Sequence, residues 1–222
     1  MTCDRALGIR LCAVEAPDEA TFRGRGARSE FEALLNELIE RPYDRRDIER
    51  RIEERFTTIT AVMVLDMSGF TRTTQIRGIV PYLLMIHQMR LLATPIVERF
   101  GGRVVKAEAD NLFCLFDTVE DAVTAGREIT RTLDTANVLL PDELALYASI
   151  GIGFGPILTF GDDEIAGNEV NLASKLGEDV ADRKEILLTP GARAEVRSQN
   201  ELDQRRIAIS GLEFDYYILQ GE

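Results

Sequence analysis

Two acidic residues stand where a protein could hold a metal ion, and Asp66 is the first of them. It follows the apolar, β-branched run 57–65, which is typical of a buried strand, and it precedes the turn residue Gly69. A carboxylate at the end of a buried strand has its position fixed by the sheet, as a hard divalent cation requires. Because acidic residues at strand ends more often serve as caps or turn formers, the position allows a metal site without requiring one.

Asp110 is the second candidate. In the segment that leads to it, Lys106, Glu108 and Asp110 alternate with apolar residues, so these three charged side chains would share one strand face. Two carboxylates brought together by paired strands can hold two divalent ions, the arrangement that drives in-line phosphoryl displacement. A fully solvated strand face explains the same alternation, and spacing alone leaves both interpretations open.

The residues that follow Asp66 could bind phosphate through the main chain. Gly69 provides a turn that leads toward a helix, and backbone N–H groups at such a turn can receive phosphate oxygens. The segment therefore adds an anion-binding surface next to the candidate metal ligand.

The elements that must position these residues alternate between strands and helices. Apolar periodicity predicts helices over 29–41, 44–56, 76–100, 120–136, 167–177 and 190–197. Short β-branched or alternating runs predict strands over 57–65, 103–110, 112–116, 144–158, 185–189, 206–209 and 214–219. Pro95 should kink or divide the long helix, and Asp110 with Asn111 should form the turn of a hairpin. Together these signals predict mixed α/β layers.

The composition is that of a globular protein, and it limits the partners. The 222 residues are 45% hydrophobic and carry a formal net charge of -12, so we expect neither nucleic acid nor a membrane surface as a partner. No uncharged apolar stretch approaches the roughly 18–20 residues that span a bilayer, and Asp4 and Arg5 interrupt any signal-peptide pattern. Cys3, Cys12 and Cys114 have neither paired nor metal-ligand spacing, and the last lies in an apolar run typical of a buried thiol. We therefore expect a cytoplasmic protein.

Residues 1–56 are predicted to form an N-terminal helical extension, and residues 57–222 the main domain. The second helix of the extension carries a thin apolar stripe of Ile48, Ile52 and Phe56 among charged residues. So narrow a stripe suits a helix that packs on a partner chain, such as a regulatory partner, and equally a helix that lies on its own domain. Both interpretations remain open.

Four segments of the chain together resemble the class III adenylate and guanylate cyclases. They occur in the family's order and cover roughly residues 57–220. The segments are the first metal motif VLDMSGFT at 64–71, the second metal motif GGRVVKAEAD at 101–110, the glycine-rich strand IGIGFGP at 150–156 and the transition-state segment VNLASKL at 170–176. The resemblance implies an α/β (α+β) fold with a ferredoxin-like βαββαβ cyclase core of mixed, mainly antiparallel sheet. This core follows the N-terminal helical segment in the chain.

The resemblance also implies a role for each matching residue. Asp66, Met67 and Asp110 would bind two Mg²⁺ or Mn²⁺ ions per site. One ion would help to activate the ribose 3′-hydroxyl, and the other would hold the triphosphate. The residues that would bind the nucleotide next to these ligands are Gly69, Phe70 and Thr71.

Lys106 and Glu164 fall at the family's two purine-reading positions. A lysine can donate to adenine N1 and a carboxylate can accept from the N6 amine, whereas guanine presents the opposite polarity at those atoms. This pair therefore favours ATP. The resemblance further implies that Asn171 orients the ribose and that Lys175 stabilises the α-phosphate in the transition state.

The expected function is an adenylate cyclase that works as a homodimer and converts ATP to cyclic AMP and pyrophosphate. Three positions depart from the family, since Lys175 replaces an arginine, Ala109 a glycine and Ser210 a lysine. These departures favour the alternative of a cyclase-homology module that binds nucleotide, or only dimerises, to regulate a partner. A guanylate cyclase is a third interpretation, which Lys106 and Glu164 oppose.

Overall fold

The computed structural model describes residues 25–68, 78–196, 202–209 and 212–220. The helices in these ranges are α1 (Arg28–Glu40), α2 (Arg45–Phe56), α3 (Ile79–Arg99), α4 (Val119–Asn137), α5 (Asn168–Lys175) and α6 (Pro190–Glu195). The strands are β1 (Thr57–Met67), β2 (Arg103–Glu108), β3 (Asn111–Phe116), β4 (Ala148–Phe160), β5 (Glu164–Ala166), β6 (Ile186–Leu188), β7 (Leu202–Ile209) and β8 (Leu212–Leu219). The predicted nucleotide-binding residues Gly69, Phe70 and Thr71 lie outside the described residues, as does Ser210.

The strands form one mixed sheet in the order β2-β3-β1-β4-β6-β8-β7, and β5 pairs with the end of β4. Of these neighbours β4 and β6 run parallel, while the other pairs are antiparallel. Helices cover both faces of the sheet. The mixed, mainly antiparallel sheet confirms the predicted fold class.

β1 is a central strand, and its alternating side chains face two different layers. Met63 and Leu65 are fully buried in the main core, to which α3 and α4 also contribute. Val62 and Val64 are just as buried on the opposite face, where α5 packs. The alternation therefore places Asp66, two residues beyond Val64, on the α5 side of the sheet.

α3 is a single helix, although Pro95 was expected to kink or divide it. Pro95 and Leu91, whose carbonyl loses its helical partner, both lie on the exposed side, so water can satisfy that carbonyl. The opposite side is buried in the main core through Met85, Met89 and Ala93. By length and composition alone, α3 is the one helix of the described ranges that could cross a membrane, and one side of it is buried in the main core.

The glycine-rich part of β4 lets α5 lie close against the sheet. A Cβ atom on Gly151 would come within 2.1 Å of the Ala173 carbonyl oxygen, far inside van der Waals contact. Gly177, just beyond α5, is similarly constrained, because a Cβ there would lie 2.9 Å from the Val64 carbonyl oxygen. This short separation between helix and sheet fixes where α5 holds its polar side chains.

α1 and α2 pack on the sheet that follows them in the chain. The stripe of Ile48, Ile52 and Phe56 is buried against α1 and the end of β4. Phe31 of α1 stacks on Phe160 of β4, with ring centroids 4.0 Å apart. Of the two interpretations of the stripe, the helix that lies on its own chain is the one observed.

Several strands differ from their predicted bounds. β1 continues through Asp66 to Met67, because Asp66 pairs with Asn111 on one side and Ser149 on the other. β7 begins at Leu202 and not near position 206, since β8 offers it backbone partners along its whole length. β5 is absent from the predicted elements, because three residues are too few to show a periodic pattern.

Candidate active site

Asp66 and Asp110 come together at the end of β1. In the β1–β3 ladder Asp66 pairs with Asn111, which places the preceding Asp110 next to it. A hydrogen bond with Asp110 favours the protonated form of Asp66. Burial, followed by the charges of Asp110 and Glu178, raises the pKa of Asp66 from its ordinary 3.8 to about 7. Two carboxyl groups in such close contact repel each other when both are ionised.

This carboxylate pair fits a hard divalent cation. Mg²⁺ and Mn²⁺ prefer oxygen ligands, and Mg²⁺ is commonly bound through one or two carboxylates, substrate phosphates and water. Within the described ranges no cluster of three or more His, Cys, Asp or Glu side chains forms a metal site. Asp66 and Asp110 would therefore hold the ion together with further oxygens, for which the main chain of Met67 is the adjacent candidate.

Asp66→Asn is expected to stabilise the metal-free protein at pH 8. Because the pKa of Asp66 is raised in the folded state, its ionisation destabilises the fold progressively as the pH rises from about 4 through 7. An uncharged amide removes that cost of about 1–2 kcal/mol, a value that allows for solvent screening of a partly buried carboxyl. Thermal unfolding in EDTA should show a Tm higher by roughly 2–6 °C.

The response to metal provides the second half of this test. Mn²⁺ should raise the Tm of the parent and leave that of Asp66→Asn unchanged, because the ion relieves the same repulsion. The control is Asp117→Asn, at an exposed carboxylate just beyond β3, which should respond to Mn²⁺ as the parent does. An equal rise in all three proteins would remove Asp66 from the metal site.

The turn that carries Asp110 consists of Ala109 and Asp110, whereas the sequence predicted Asp110 and Asn111. Asn111 is already the first residue of β3, where it pairs with Asp66. Ala109 adopts a φ of 49°, in the left-handed region that favours glycine. Arg90 of α3 donates from Nη2 to the Ala109 carbonyl at 2.6 Å and so braces the turn.

Ala109→Gly is expected to stabilise the fold slightly. A non-glycine residue in the left-handed region costs roughly 1–2 kcal/mol, and the greater entropy of glycine in the unfolded chain offsets part of the gain. The free energy of unfolding by urea should rise by about 0.5–1 kcal/mol. Ala107→Gly, at an exposed position of β2, is the matched control and should lower it. A loss of stability at both positions would show that the turn is unstrained.

Three side chains that no sequence pattern indicated lie near the carboxylate pair or its turn, namely Tyr82, Arg90 and Glu178. Burial, followed by the charges of Asp110 and Asp66, raises the pKa of Tyr82. Burial and neighbouring carboxylates likewise raise the pKa of Glu178. Tyr82 and Arg90 lie about two turns apart on α3 and so share a face of that helix. This spacing is the one sequence signal that could have indicated that these two residues lie near the same site.

The charges of Lys106 and Glu164, the predicted purine readers, interact with each other. Lys106 is on β2, and its Nζ pairs with Glu108 at 2.9 Å. The hydrogen bond with Glu108 raises the pKa of Lys106, and the charges of Glu164 and Asp163 add to that rise. Glu164 begins β5, and its Oε1 pairs with Nη1 of Arg28 at 3.3 Å. Lys106 and Glu164 thus carry opposite charges on two strands that are in contact, β2 and β5.

Asn171 and Lys175 lie one turn apart on α5 and therefore share a face of that helix. Asn171 is exposed, and Lys175 at the end of the helix is half-buried. Burial raises the pKa of Glu178, and the nearby Lys175 ammonium acts against that rise. Glu178, just beyond α5, therefore interacts electrostatically both with the carboxylate pair and with Lys175.

A partly buried carboxylate fixes the start of α5. Glu169 Oε2 accepts hydrogen bonds from the Phe154 N–H at 3.1 Å and from the Thr189 hydroxyl at 2.7 Å. It thereby ties α5 to β4 and to the residue that caps α6. The sequence did not indicate this role, because an acidic residue in a first helical turn ordinarily serves the helix dipole from solvent.

Comparison with known proteins gives one sequence relative and several structural ones. No family model matches the chain. The Rhizobium meliloti (strain 1021) protein named "Putative adenylate cyclase 3" is 23% identical over 145 residues, which make up 65% of this chain and 24% of that protein. This chain therefore spans about a quarter of the length of that relative.

The solved structures are similar over most of the domain. An adenylate/guanylate cyclase/hydrolase from Silicibacter pomeroyi is 21% identical, with a TM-score of 0.65 over 75% of this chain and 98% of that one. The adenylyl cyclase CyaB from P. aeruginosa is 22% identical, with a TM-score of 0.63 over 75% and 96%. The guanylyl cyclase Cya2 is 16% identical, with a TM-score of 0.64 over 74% and 93%.

Adenylyl and guanylyl cyclases are thus matched equally well, over nearly their whole catalytic cores. The sheet order, the carboxylate pair at the end of β1 and the helix α5 that packs on the glycine-rich strand occur together in this chain. The chain has the fold of the class III adenylate and guanylate cyclase catalytic domains, the family that its four motifs resemble.

Proposed function

We propose that this domain is an adenylate cyclase that converts ATP to cyclic AMP and pyrophosphate. The observation that carries the proposal is the close pair of Asp66 and Asp110, since two carboxylates held in this way suit a metal-bound triphosphate. The similarity to cyclases supports the same chemistry. The proximity of Lys106 and Glu164 supports ATP as the substrate.

The reaction would be an intramolecular phosphoryl transfer. The ribose 3′-hydroxyl gives up its proton to water, and its oxygen attacks the α-phosphorus to form a new P–O bond. The bond from that phosphorus to the bridging oxygen breaks, and pyrophosphate leaves. Bound Mg²⁺ or Mn²⁺ would neutralise the triphosphate and favour ionisation of the attacking hydroxyl. Lys175 would stabilise the charge that develops on the α-phosphate, and Asn171 would hold the ribose in the attacking orientation.

A second copy of the chain would complete each site. In the proposed homodimer one protomer supplies the carboxylate pair, and the other supplies the purine readers and the two polar residues of α5. The exposure of Asn171 supports this arrangement, because a side chain that serves a neighbouring chain must not be buried in its own. Two-fold symmetry gives each dimer two such sites.

The test of the proposed function is the choice of nucleotide. Incubated with Mn²⁺ and either ATP or GTP, the protein should form cyclic AMP and little cyclic GMP, as resolved by chromatography. Lys106→Glu should abolish the preference, because it replaces the donor to adenine N1 with an acceptor. The control is Arg131→Glu, the same reversal of charge at an exposed position on α4, and it should keep the preference. Equal turnover of ATP and GTP by the parent would exclude the assignment.

The strained Ala109 turn and the lysine at position 175 favour one other candidate, a cyclase-homology module that regulates a partner. Such a module would bind nucleotide, or only dimerise, without forming product. The same assay separates the two functions, because binding of ATP without any cyclic product would support the module. Cyclic GMP as the main product would instead support the guanylate cyclase interpretation.

A further inference from the structure

The candidate purine reader Glu164 has a charged partner in the N-terminal helix α1. Nη1 of Arg28 lies 3.3 Å from Oε1 of Glu164, across the junction between α1 and β5. Lys106, the other purine reader, is paired with Glu108. The cation closest to the Glu164 carboxylate therefore comes from a helix outside the four cyclase-like motifs.

Backbone pairing holds this part of the chain against β4. The N–H of Arg25 donates to the Thr159 carbonyl at 3.1 Å, and the N–H of Gly161 donates to the Gly26 carbonyl at 2.9 Å. The residues just before α1 thus extend the pairing of the β4 end. Because these bonds flank the start of α1, they fix the position of Arg28 in the first helical turn.

Aromatic packing fixes the same helix from a second direction. Phe31, one turn after Arg28, stacks on Phe160 at a centroid distance of 4.0 Å. Phe160 is the register partner of Glu164 in the β4–β5 ladder. α1, β4 and β5 are thereby joined in one unit, and the contact of Arg28 with Glu164 belongs to it.

We propose that Arg28 is a positioning residue for purine selection, which makes α1 part of the nucleotide site. The inference rests on the proposed function, in which Glu164 accepts from the adenine N6 amine. The Arg28 guanidinium pairs with one oxygen of this carboxylate. An ionised carboxylate can only accept hydrogen bonds. It therefore matches the adenine amine and repels the guanine O6 acceptor. Arg28 also restricts the carboxylate to one orientation, which leaves the second oxygen free for the base.

The first experiment measures kcat and KM of Arg28→Ala for ATP and for GTP with Mn²⁺. Arg28 is exposed, so the variant should keep the Tm of the parent within about 2 °C. KM for ATP should rise about three- to fivefold, the range of a partly exposed ion pair, while kcat changes by less than about twofold. The preference for ATP over GTP in kcat/KM should fall by the same three- to fivefold. Arg28→Lys keeps the charge but not the planar fork, and it should recover part of the preference.

Two matched variants separate this role from a general effect of α1. Arg28 also pairs with Glu32 at 3.2 Å, and Glu32→Gln removes that pair without touching Glu164. It should leave the nucleotide preference unchanged. Glu164→Gln should lower the preference by itself, and adding Arg28→Ala to it should have no further effect, because the two residues act through one interaction.

The outcomes are distinct. Cyclic AMP formation by the parent, together with an unchanged preference in Arg28→Ala, would overturn the role of Arg28 and leave the proposed function intact. Additive effects of Arg28→Ala and Glu164→Gln would also overturn it. If the parent forms no cyclic product, the preference for ATP over GTP is measured as the ratio of their dissociation constants from calorimetry. If the parent binds neither nucleotide, both the proposed function and this inference are contradicted.

Discussion

Chains that carry Asp66→Ala, mixed with chains that carry Asn171→Ala, are expected to recover about a quarter of the parental cyclase activity. Each variant alone should be nearly inactive, because every site of its dimer lacks either a metal ligand or the ribose-orienting amide. After free exchange half of the dimers are mixed. Each mixed dimer has one intact site and one doubly damaged site, so a quarter of all sites are complete.

The measurement is cyclic AMP formation by the mixture, with each variant and the parent assayed in parallel. The control is a mixture of Asp66→Ala with Asp110→Ala. Both changes damage the carboxylate pair, which each chain supplies to one of the two sites. Its mixed dimers contain no complete site, and it should stay inactive. One variant is labelled with ¹⁵N, so that native mass spectrometry resolves mixed dimers from unmixed ones. If mixed dimers of the Asp66 and Asn171 variants form and activity stays at the level of either alone, the shared site is wrong.

Lys175→Ala is expected to lower turnover by about 10²-fold, the loss that follows removal of one well-placed donor to a developing charge. Lysine supplies the charge as a point, whereas arginine offers a planar fork of donors that matches a phosphate. Lys175→Arg should therefore raise turnover above that of the parent. KM for ATP should change little in either variant, because the contact is strongest in the transition state.

Single-turnover assays with saturating ATP and Mn²⁺ give the rate of the chemical step for these variants. The control is Lys184→Ala, which removes a lysine whose ammonium pairs with Asp134 at 2.7 Å and lies over the Tyr147 ring. It should keep the parental rate. An unchanged rate for Lys175→Ala would remove this residue from the mechanism. Binding of ATP without turnover in the parent and both variants would favour the regulatory module.

Sequence predicts best where burial and residue type agree. The run that becomes β1 is apolar on both faces because layers cover both sides of it, so its burial could be inferred without a partner strand. The position of Asp66 at its end followed from that. The glycines of β4 were identified by resemblance, and the structure adds the physical reason, which is the close approach of α5.

Other features depend on contacts that no local pattern encodes. Ala109 has an ordinary residue type in an unusual conformation, which follows from the pairing of Asn111 with Asp66. Pro95 leaves α3 continuous because the carbonyl that loses its hydrogen bond faces solvent, and the sequence does not show which side of the helix is exposed. Glu169 and Arg28 act across separations of many residues, to β4 and to β5, so their roles became visible only in three dimensions.

The stacking of Phe31 on Phe160 affects how the chain can be shortened. A fragment that begins at Thr57 would retain the four cyclase-like segments, yet it would lose the helices that shield Phe160 and Leu158. Apolar side chains uncovered at the end of a strand invite edge-to-edge association and precipitation. Such a fragment would be poorly soluble and would aggregate. Association measured with it would come from the exposed apolar surface, so quantitative work needs a chain that starts before Arg25.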